Sequence, residues 1–238
     1  MCGRFARYAT REDLAALGDV ERFVPPVSGG GDGAPARPPP RWNIAPSQGI
    51  EVVRRHPQTG RLQTDLLAWG LVPRWTGDLA AARRPINARS ETIRESRMFG
   101  DCFARRRCLV PMDAFYEWQG EKPPRRPFAV ARRDGRPLLV AGVWDGWRAP
   151  DGSILRSVAV ITTAANATLR PIHPRMPCVL APAEVETWFG DDADAAAALL
   201  RPAPEDALHA WPVGTGVNDV RNDGPDLLRP REGPSRAA

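Results

Sequence analysis

The chain has 238 residues, of which 42% are hydrophobic, 26% charged and 7% aromatic, and its formal net charge is +5. This composition excludes a disordered, collagen-like or coiled-coil chain, and no apolar run reaches the roughly 20 residues that span a bilayer. The positive charge points mildly to a polyanionic partner, but the basic residues are almost all arginine, so the positions of the arginines must carry that argument.

The N-terminal residues 1–7 contain two arginines and no apolar stretch, unlike a secretory signal peptide. We therefore expect a soluble, cytoplasmic protein whose four cysteines are reduced thiols rather than disulfides. The spacing of cysteine and histidine residues does not match the patterns of zinc sites, so the sequence predicts no metal and no cofactor.

Hydrophobic periodicity and turn residues predict a series of strands with helices between them. In chain order, the predicted elements are a helix at 10–18, strands at 50–54 and 66–71, a helix at 98–107, strands at 108–118, 128–132, 138–147 and 157–163, and helices at 182–189 and 192–200. Residues 27–40 are rich in Gly and Pro and are predicted to be a loop or a disordered insertion. This order predicts one α+β domain over residues 1–230. The polar stretch from Pro225 is predicted to be loose, with a tail at 231–238.

Cys2 has the most distinctive chemistry of the candidate residues. If Met1 is removed, Cys2 carries both a thiol and a free α-amine, with reference pKa values of about 8.5 and about 7.7–8.0. An aldehyde forms an imine with such an amine, and the thiol then closes a five-membered thiazolidine ring. From position alone, a frayed terminus without function is the commoner interpretation of residue 2.

Six sequence blocks occur in a fixed order. They are Met1–Phe5 (MCGRF), Trp42–Pro46 (WNIAP), Trp69–Trp75 (WGLVPRW), Ile86–Thr92 (INARSET), Phe115–Trp118 (FYEW) and Ile172–Pro177 (IHPRMP). Together they resemble the SOS-response-associated peptidase (SRAP) family, the abasic-site processing proteins, over nearly the whole chain. The resemblance implies a SRAP-like domain with a barrel-like, mainly antiparallel β core, peripheral helices and a positive groove.

The resemblance also implies a function in the DNA-damage response. Proteins of this family sense abasic sites in single-stranded DNA and crosslink themselves to the ring-opened sugar through the mature N-terminal cysteine, as a stable thiazolidine. The family's older name, peptidase, refers to self-removal of the first residue. The expected partner is therefore single-stranded DNA with abasic sites, bound by a monomer that is nucleoid-associated when on DNA.

By the motif match, the resemblance assigns the catalytic site to Cys2, Asn87, Glu117 and His173. Glu117 lies in an apolar, aromatic strand, where burial would raise its pKa toward acid–base work; an outward-facing, solvated carboxylate is the alternative. Asn87 transfers no proton at neutral pH and would orient the amine or a substrate oxygen by hydrogen bonds. His173 would open the sugar ring or protonate its oxygen, and a packed histidine before a proline turn is the alternative.

Seven further residues are candidates for DNA contact, the arginines through phosphates and the tryptophans by stacking on bases. They are Arg4, Trp42, Asn43, Pro46, Trp75, Arg89 and Arg175. An ordinary core aromatic or a solvated arginine is nearly as common an interpretation of each. Trp75 is favoured among the aromatics because its neighbour Arg74 indicates exposure.

Two other functions remain open at this point. One is a cysteine-type peptidase or amidohydrolase that uses the Cys2 thiol as nucleophile and His173 as base on peptide substrates. The other is a module that binds single-stranded DNA without covalent chemistry. Incubation with abasic single-stranded DNA separates them, since only the crosslinking function yields a heat-stable adduct.

Overall fold

The computed structural model describes residues 2–9, 21–22, 39–56 and 58–231. The helix predicted at 10–18, most of the 27–40 insertion and nearly all of the tail lie outside these residues. The strands in the described part are β1 (Phe5–Arg7), β2 (Glu21–Arg22), β3 (Arg41–Ile44), β4 (Gly49–Arg55), β5 (Leu62–Trp69), β6 (Asn87–Arg89), β7 (Arg107–Met112), β8 (Ala114–Gln119), β9 (Arg126–Arg132), β10 (Leu138–Arg148), β11 (Ile154–Ala164), β12 (Arg175–Pro177), β13 (Val179–Leu180) and β14 (Leu208–Pro212). The α-helices in it are α1 (Gly100–Arg105), α2 (Val185–Phe189) and α3 (Ala193–Ala198).

A closed ring of five strands forms the centre of the fold. β5, β4, β7, β10 and β11 pair in that order through antiparallel ladders, and β11 returns to β5 through a parallel pairing. The predicted α+β architecture with a barrel-like, mainly antiparallel β core is therefore confirmed.

The second sheet carries much of the candidate site. Its strand order is β14-β9-β8-β1-β3, and each neighbouring pair is antiparallel. Successive side chains along a strand point to opposite faces of the sheet, and the barrel strands bury side chains on both faces. Cys108 and Val110 of β7 join the core that also contains Phe5 and Phe115 of the second sheet. Leu109, between them, joins a separate core with Trp188 of α2.

The single strand predicted at 108–118 is wrong, because the chain divides there into β7 and β8, which belong to different sheets. Asp113 lies at the division and is buried. Its Oδ2 accepts hydrogen bonds from the backbone N–H groups of Tyr8 and Ala9, which lie just after β1. A buried carboxylate with backbone partners thus marks the change of sheet, and apolar patterning does not reveal it.

Other predicted boundaries shift in the structure. β5 begins at Leu62, earlier than predicted, and ends at Trp69 because Gly70 adopts φ +132°, which a strand does not continue through. The helix predicted at 98–107 is shortened to α1, since Arg107 already starts β7. Strands over 128–132, 138–147 and 157–163 are confirmed as β9, β10 and β11.

The C-terminal helices are confirmed, but the loose segment predicted from Pro225 is wrong over its described part. The first helix begins with a 3-10 turn (Pro182–Glu184) that leads into α2, and Asp192 caps α3. Pro225–Leu228 forms a 3-10 turn, whose Leu228 O accepts from Trp211 Nε1 at 2.8 Å. None of the described helices is both long and apolar enough to cross a membrane.

Candidate functional site

The structure brings the four predicted catalytic residues together from four separate segments. Cys2 precedes β1, Asn87 begins β6, Glu117 lies in β8 and His173 precedes β12. Asn87 Nδ2 donates to the backbone O of Cys2 at 2.9 Å, and His173 Nε2 lies 4.0 Å from Glu117 Oε1. The Glu117 carboxylate also acts electrostatically on the Cys2 thiol. The four residues therefore form one cluster of neighbours, the candidate site.

The Cys2 thiol is fully buried. Burial raises its pKa well above the ordinary value, and the nearby Glu117 carboxylate raises it further. Since the thiolate is the strong nucleophile of cysteine, this environment keeps the thiol protonated and weakly nucleophilic. The other three cysteines are free and buried too, as the sequence predicted for thiols without a role.

Glu117 points into the protein rather than into solvent. Its residue exposure is 5%, which rules out the solvated alternative considered from the sequence. β8 pairs with β1 on one side and with β9 on the other, so the backbone of this strand is held from both edges. A strand paired on both edges therefore presents the carboxylate to Cys2 and His173.

His173 is oriented through its Nδ1 atom. This nitrogen lies 3.0 Å from the backbone N and 3.1 Å from the backbone O of Arg175. In the neutral tautomer with its proton on Nε2, Nδ1 accepts from that N–H; in the charged ring, Nδ1–H donates to that carbonyl. Nδ1 has a partner in each of these two states, and in both an Nε2–H faces Glu117.

Asn87 is placed by the barrel. β6 pairs in parallel with β11, where Asn87 lies opposite Val160. The amide Nδ2 donates to Cys2, while Oδ1 is buried and has no hydrogen-bond partner among the described residues. A buried acceptor without a partner is costly, so Oδ1 is suited to receive an N–H or O–H from a ligand.

Pro46, Trp75 and Arg89, three of the predicted DNA-contact residues, are exposed. Trp75 is 55% exposed, as Arg74 indicated, and the Arg97 guanidinium lies 5.3 Å from the centre of its ring. Trp42 is half-buried and stacks on Tyr8, with ring centroids 6.2 Å apart.

Arg4 and Asn43 are instead engaged inside the protein. Asn43 is fully buried. Its Oδ1 accepts from Arg4 Nη1 at 2.7 Å, and its Nδ2 donates to the backbone O atoms of Asp219 and Asn222 at 2.9 and 2.7 Å. This burial leaves Asn43 no surface for the DNA contact predicted from the sequence. Its observed role is to anchor the segment around residues 217–222.

We expect Asn43→Ala to lower the free energy of unfolding by about 2–4 kcal/mol, because it leaves several buried polar groups unpaired. Urea unfolding monitored by tryptophan fluorescence measures the change. A loss within about 0.5 kcal/mol, the range of ordinary surface substitutions, would contradict the anchoring role.

Arg175 is held by two partners near His173. Its guanidinium donates to Glu91 at 2.5 and 3.0 Å and to Thr162 O at 2.6 Å. Sequence reasoning did not single out Glu91, although it lies in the INARSET block. It also missed Gln119, whose Nε2 donates to Pro171 O at 2.9 Å and so holds the segment that carries His173.

Trp118 is a further residue that the sequence did not mark as part of the site. Its Nε1 donates to Asn218 Oδ1 at 2.8 Å, and the Arg4 guanidinium lies 5.8 Å from its ring centre. Its place directly after Glu117 in the FYEW block was the available signal.

No cluster of metal-ligating side chains occurs within the described ranges.

Comparison with known proteins gives a consistent result. A family model described as SOS response associated peptidase (SRAP) matches residues 1–220. The abasic site processing protein YoqW of Bacillus subtilis is 31% identical over 232 residues, which covers 96% of this chain and 99% of that protein. The abasic site processing protein YedK of Escherichia coli is 32% identical, covering 97% and 100% of the two chains. The chicken (Gallus gallus) abasic site processing protein HMCES is 33% identical, covering 81% of this chain and 67% of that protein.

Solved structures show the same fold. A protein from Bacteroides thetaiotaomicron superposes with a TM-score of 0.81 at 21% identity. The match covers 97% of this chain and 100% of that protein. A protein from Bordetella bronchiseptica has a TM-score of 0.73 at 25% identity, with 90% and 100% coverage.

Proposed function

Because this chain belongs to the SRAP family, we propose that it captures abasic sites in single-stranded DNA through a covalent bond to Cys2, once Met1 has been removed. Its relatives YoqW, YedK and HMCES are abasic site processing proteins. The observation that carries the proposal is the meeting of Cys2, Asn87, Glu117 and His173 in one site.

The proposed reaction begins with the amine. The α-amine of Cys2 attacks the aldehyde carbon of the ring-opened sugar, and the resulting carbinolamine loses water to give an imine. The thiol sulfur then adds to the imine carbon while the thiol proton passes to nitrogen, which closes the thiazolidine. One water leaves, and no oxidant, reductant or metal is consumed.

Each side chain has a proposed task in this sequence. Glu117 takes a proton from the attacking amine nitrogen, donates it to the departing hydroxyl and relays the thiol proton during ring closure. Asn87 orients the reacting amine, since its Nδ2 already holds the Cys2 backbone and its Oδ1 has an open acceptor position. His173 protonates the sugar ring oxygen through Nε2 and so opens the closed sugar.

The raised pKa of the Cys2 thiol favours a reaction in which the amine attacks first and the thiol second, rather than the attack by a thiolate that a peptidase needs. A cysteine peptidase attacks with a thiolate that a neighbouring histidine stabilises. Here burial disfavours that thiolate, whereas a neutral thiol suffices to add to an activated imine. In an assay with abasic single-stranded DNA, a denaturation-resistant adduct supports capture, peptide turnover supports the peptidase, and binding without an adduct supports the non-covalent module.

We expect His173→Ala to slow crosslinking to a natural abasic site by about 10²-fold, since a positioned acid is worth ~10²–10⁴ in rate. On an acyclic aldehyde that lacks the 4′-oxygen and cannot close, the loss should be much smaller. A quenched time course on both substrates measures the two rates. Equal slowing on both would reject the ring-opening role.

We also expect affinity for undamaged single-stranded DNA to fall with salt. If Arg89 neutralises one phosphate, Arg89→Gln should flatten the slope of log affinity against log salt by about 0.7. Arg136, exposed on the β9–β10 turn, provides the matched control Arg136→Gln, for which the slope should stay unchanged. Equal slopes for Arg89→Gln and the wild type would show that Arg89 does not contact a phosphate.

A further inference from the structure

His173 stands on a segment with little regular structure to hold it. Its backbone N donates to Leu169 O at 2.9 Å in a turn, and the strand that follows, β12, is only three residues long. β12 pairs with β11, where Arg175 lies opposite Ala164 at the end of the ladder. Proton transfer requires a well-oriented ring, so the anchoring of this segment bears directly on the chemistry.

The orientation of the His173 ring depends on the backbone of Arg175. Both the N–H and the carbonyl of Arg175 lie within hydrogen-bond distance of Nδ1, at 3.0 and 3.1 Å. A shift of that backbone would turn Nε2 away from Glu117, from which it lies 4.0 Å. The position of Arg175 is therefore coupled to the proposed acid.

The Arg175 side chain is fixed in turn by Glu91. Nη1 donates to Oε1 at 2.5 Å and Nη2 to Oε2 at 3.0 Å, the two-pronged arrangement that best defines an arginine–carboxylate pair. Nη2 also donates to Thr162 O at 2.6 Å. The hydrogen bonds from Arg175 hold the pKa of Glu91 below its usual range, so the Glu91 carboxylate is charged at neutral pH.

Glu91 connects two parts of the site. It lies in the 3-10 turn Ser90–Thr92, which follows β6 directly, and β6 begins with Asn87. We infer that Glu91 is a positioning residue for the proposed reaction, which acts through Arg175 to hold His173 Nε2 against Glu117. The inference rests on the proposed function, because it concerns the step in which the closed sugar opens.

The effect should appear in the chemistry rather than in stability. The Glu91 side chain is 50% exposed and that of Arg175 20%, and exposed ion pairs add little to folding free energy. Misplacing a reacting group by about 1 Å nevertheless costs up to about 10²-fold in rate. The loss should also be confined to the step that uses His173.

The test compares crosslinking rates of Glu91→Gln on two oligonucleotides. One carries a natural abasic site, and the other carries the acyclic aldehyde that cannot close. Glu95→Gln is the matched control. Glu95 is exposed, and its substitution removes the same charge from the same segment. We expect Glu91→Gln to slow the natural substrate roughly tenfold and leave the acyclic substrate nearly unchanged, while Glu95→Gln resembles the wild type on both.

Two further variants make the result decisive. Arg175→Gln breaks the same pair from the other side and should change the ratio of the natural-substrate rate to the acyclic-substrate rate in the same direction. It therefore still tests the inference if Glu91→Gln fails to fold. In a His173→Ala background, Glu91→Gln should cause no further slowing. A ratio in Glu91→Gln equal to that of the wild type, with His173→Ala still selective, would overturn this inference alone. A wild type that forms no adduct would overturn the proposed function and this inference with it.

Discussion

Cys2→Ala is expected to abolish the heat-stable adduct with abasic single-stranded DNA while leaving binding to undamaged single strands intact. The thiazolidine needs the sulfur of Cys2, whereas the exposed candidates for DNA contact, such as Trp75 and Arg89, lie elsewhere in the sequence. Gel analysis after heating measures the adduct, and fluorescence anisotropy measures binding.

Cys2→Ser is the informative companion variant. It keeps the α-amine and an oxygen in place of the sulfur, so an imine can still form but the stable sulfur ring cannot. We expect a reversible adduct that borohydride traps and heating destroys. Because the side chain at position 2 is fully buried, melting temperatures of both variants should be recorded alongside. A Cys2→Ala protein whose adduct survives heating would contradict the assignment of Cys2.

Glu117→Gln is expected to slow crosslinking by ~10²–10⁴-fold, the usual contribution of one positioned acid–base group. Unlike His173→Ala, it should slow the natural and the acyclic substrate alike, since imine formation and thiazolidine closure are required with both, whether or not a sugar ring has first to open. Glutamine has nearly the same shape and occupies the same buried site, so packing in β8 should be preserved. Single-turnover time courses on both substrates measure the effect.

A side effect of this substitution sharpens its interpretation. The Glu117 charge raises the pKa of the Cys2 thiol, so removing it makes the thiol more acidic. A slower reaction can therefore not be attributed to a smaller fraction of thiolate. Glu121→Gln, an exposed position on the turn after β8, is the control for loss of one negative charge. Full activity of Glu117→Gln would remove Glu117 from the mechanism.

The sequence predicted most of the barrel because its strands follow simple patterns. β10 and β11 are long apolar runs bounded by Asp-Gly turns, and both were predicted nearly to their ends. The closure of the ring by β11 against β5 could not be predicted, since a parallel contact between distant segments leaves no local signal. The division at Asp113 was missed for a related reason, because its partners, Tyr8 and Ala9, lie about a hundred residues away in sequence.

The candidate site shows the same limit. Motif order alone predicted that Cys2, Asn87, Glu117 and His173 act together, and the structure shows that they lie close to one another. The environment of each side chain depends on tertiary contacts instead. Asn43 was a candidate for DNA contact because it lies in the WNIAP block, and only the fold shows it buried under residues 217–222.

The intact mass of the wild-type protein after incubation with an abasic single-stranded oligonucleotide tests the central claim most directly. The account predicts one species whose mass equals the chain without Met1, plus the oligonucleotide, minus one water, and it predicts that this species survives heating. An oligonucleotide without the abasic site should give only the free protein mass. A protein that retains Met1, or that binds the abasic strand and shows no such adduct, would contradict capture through the N-terminal cysteine.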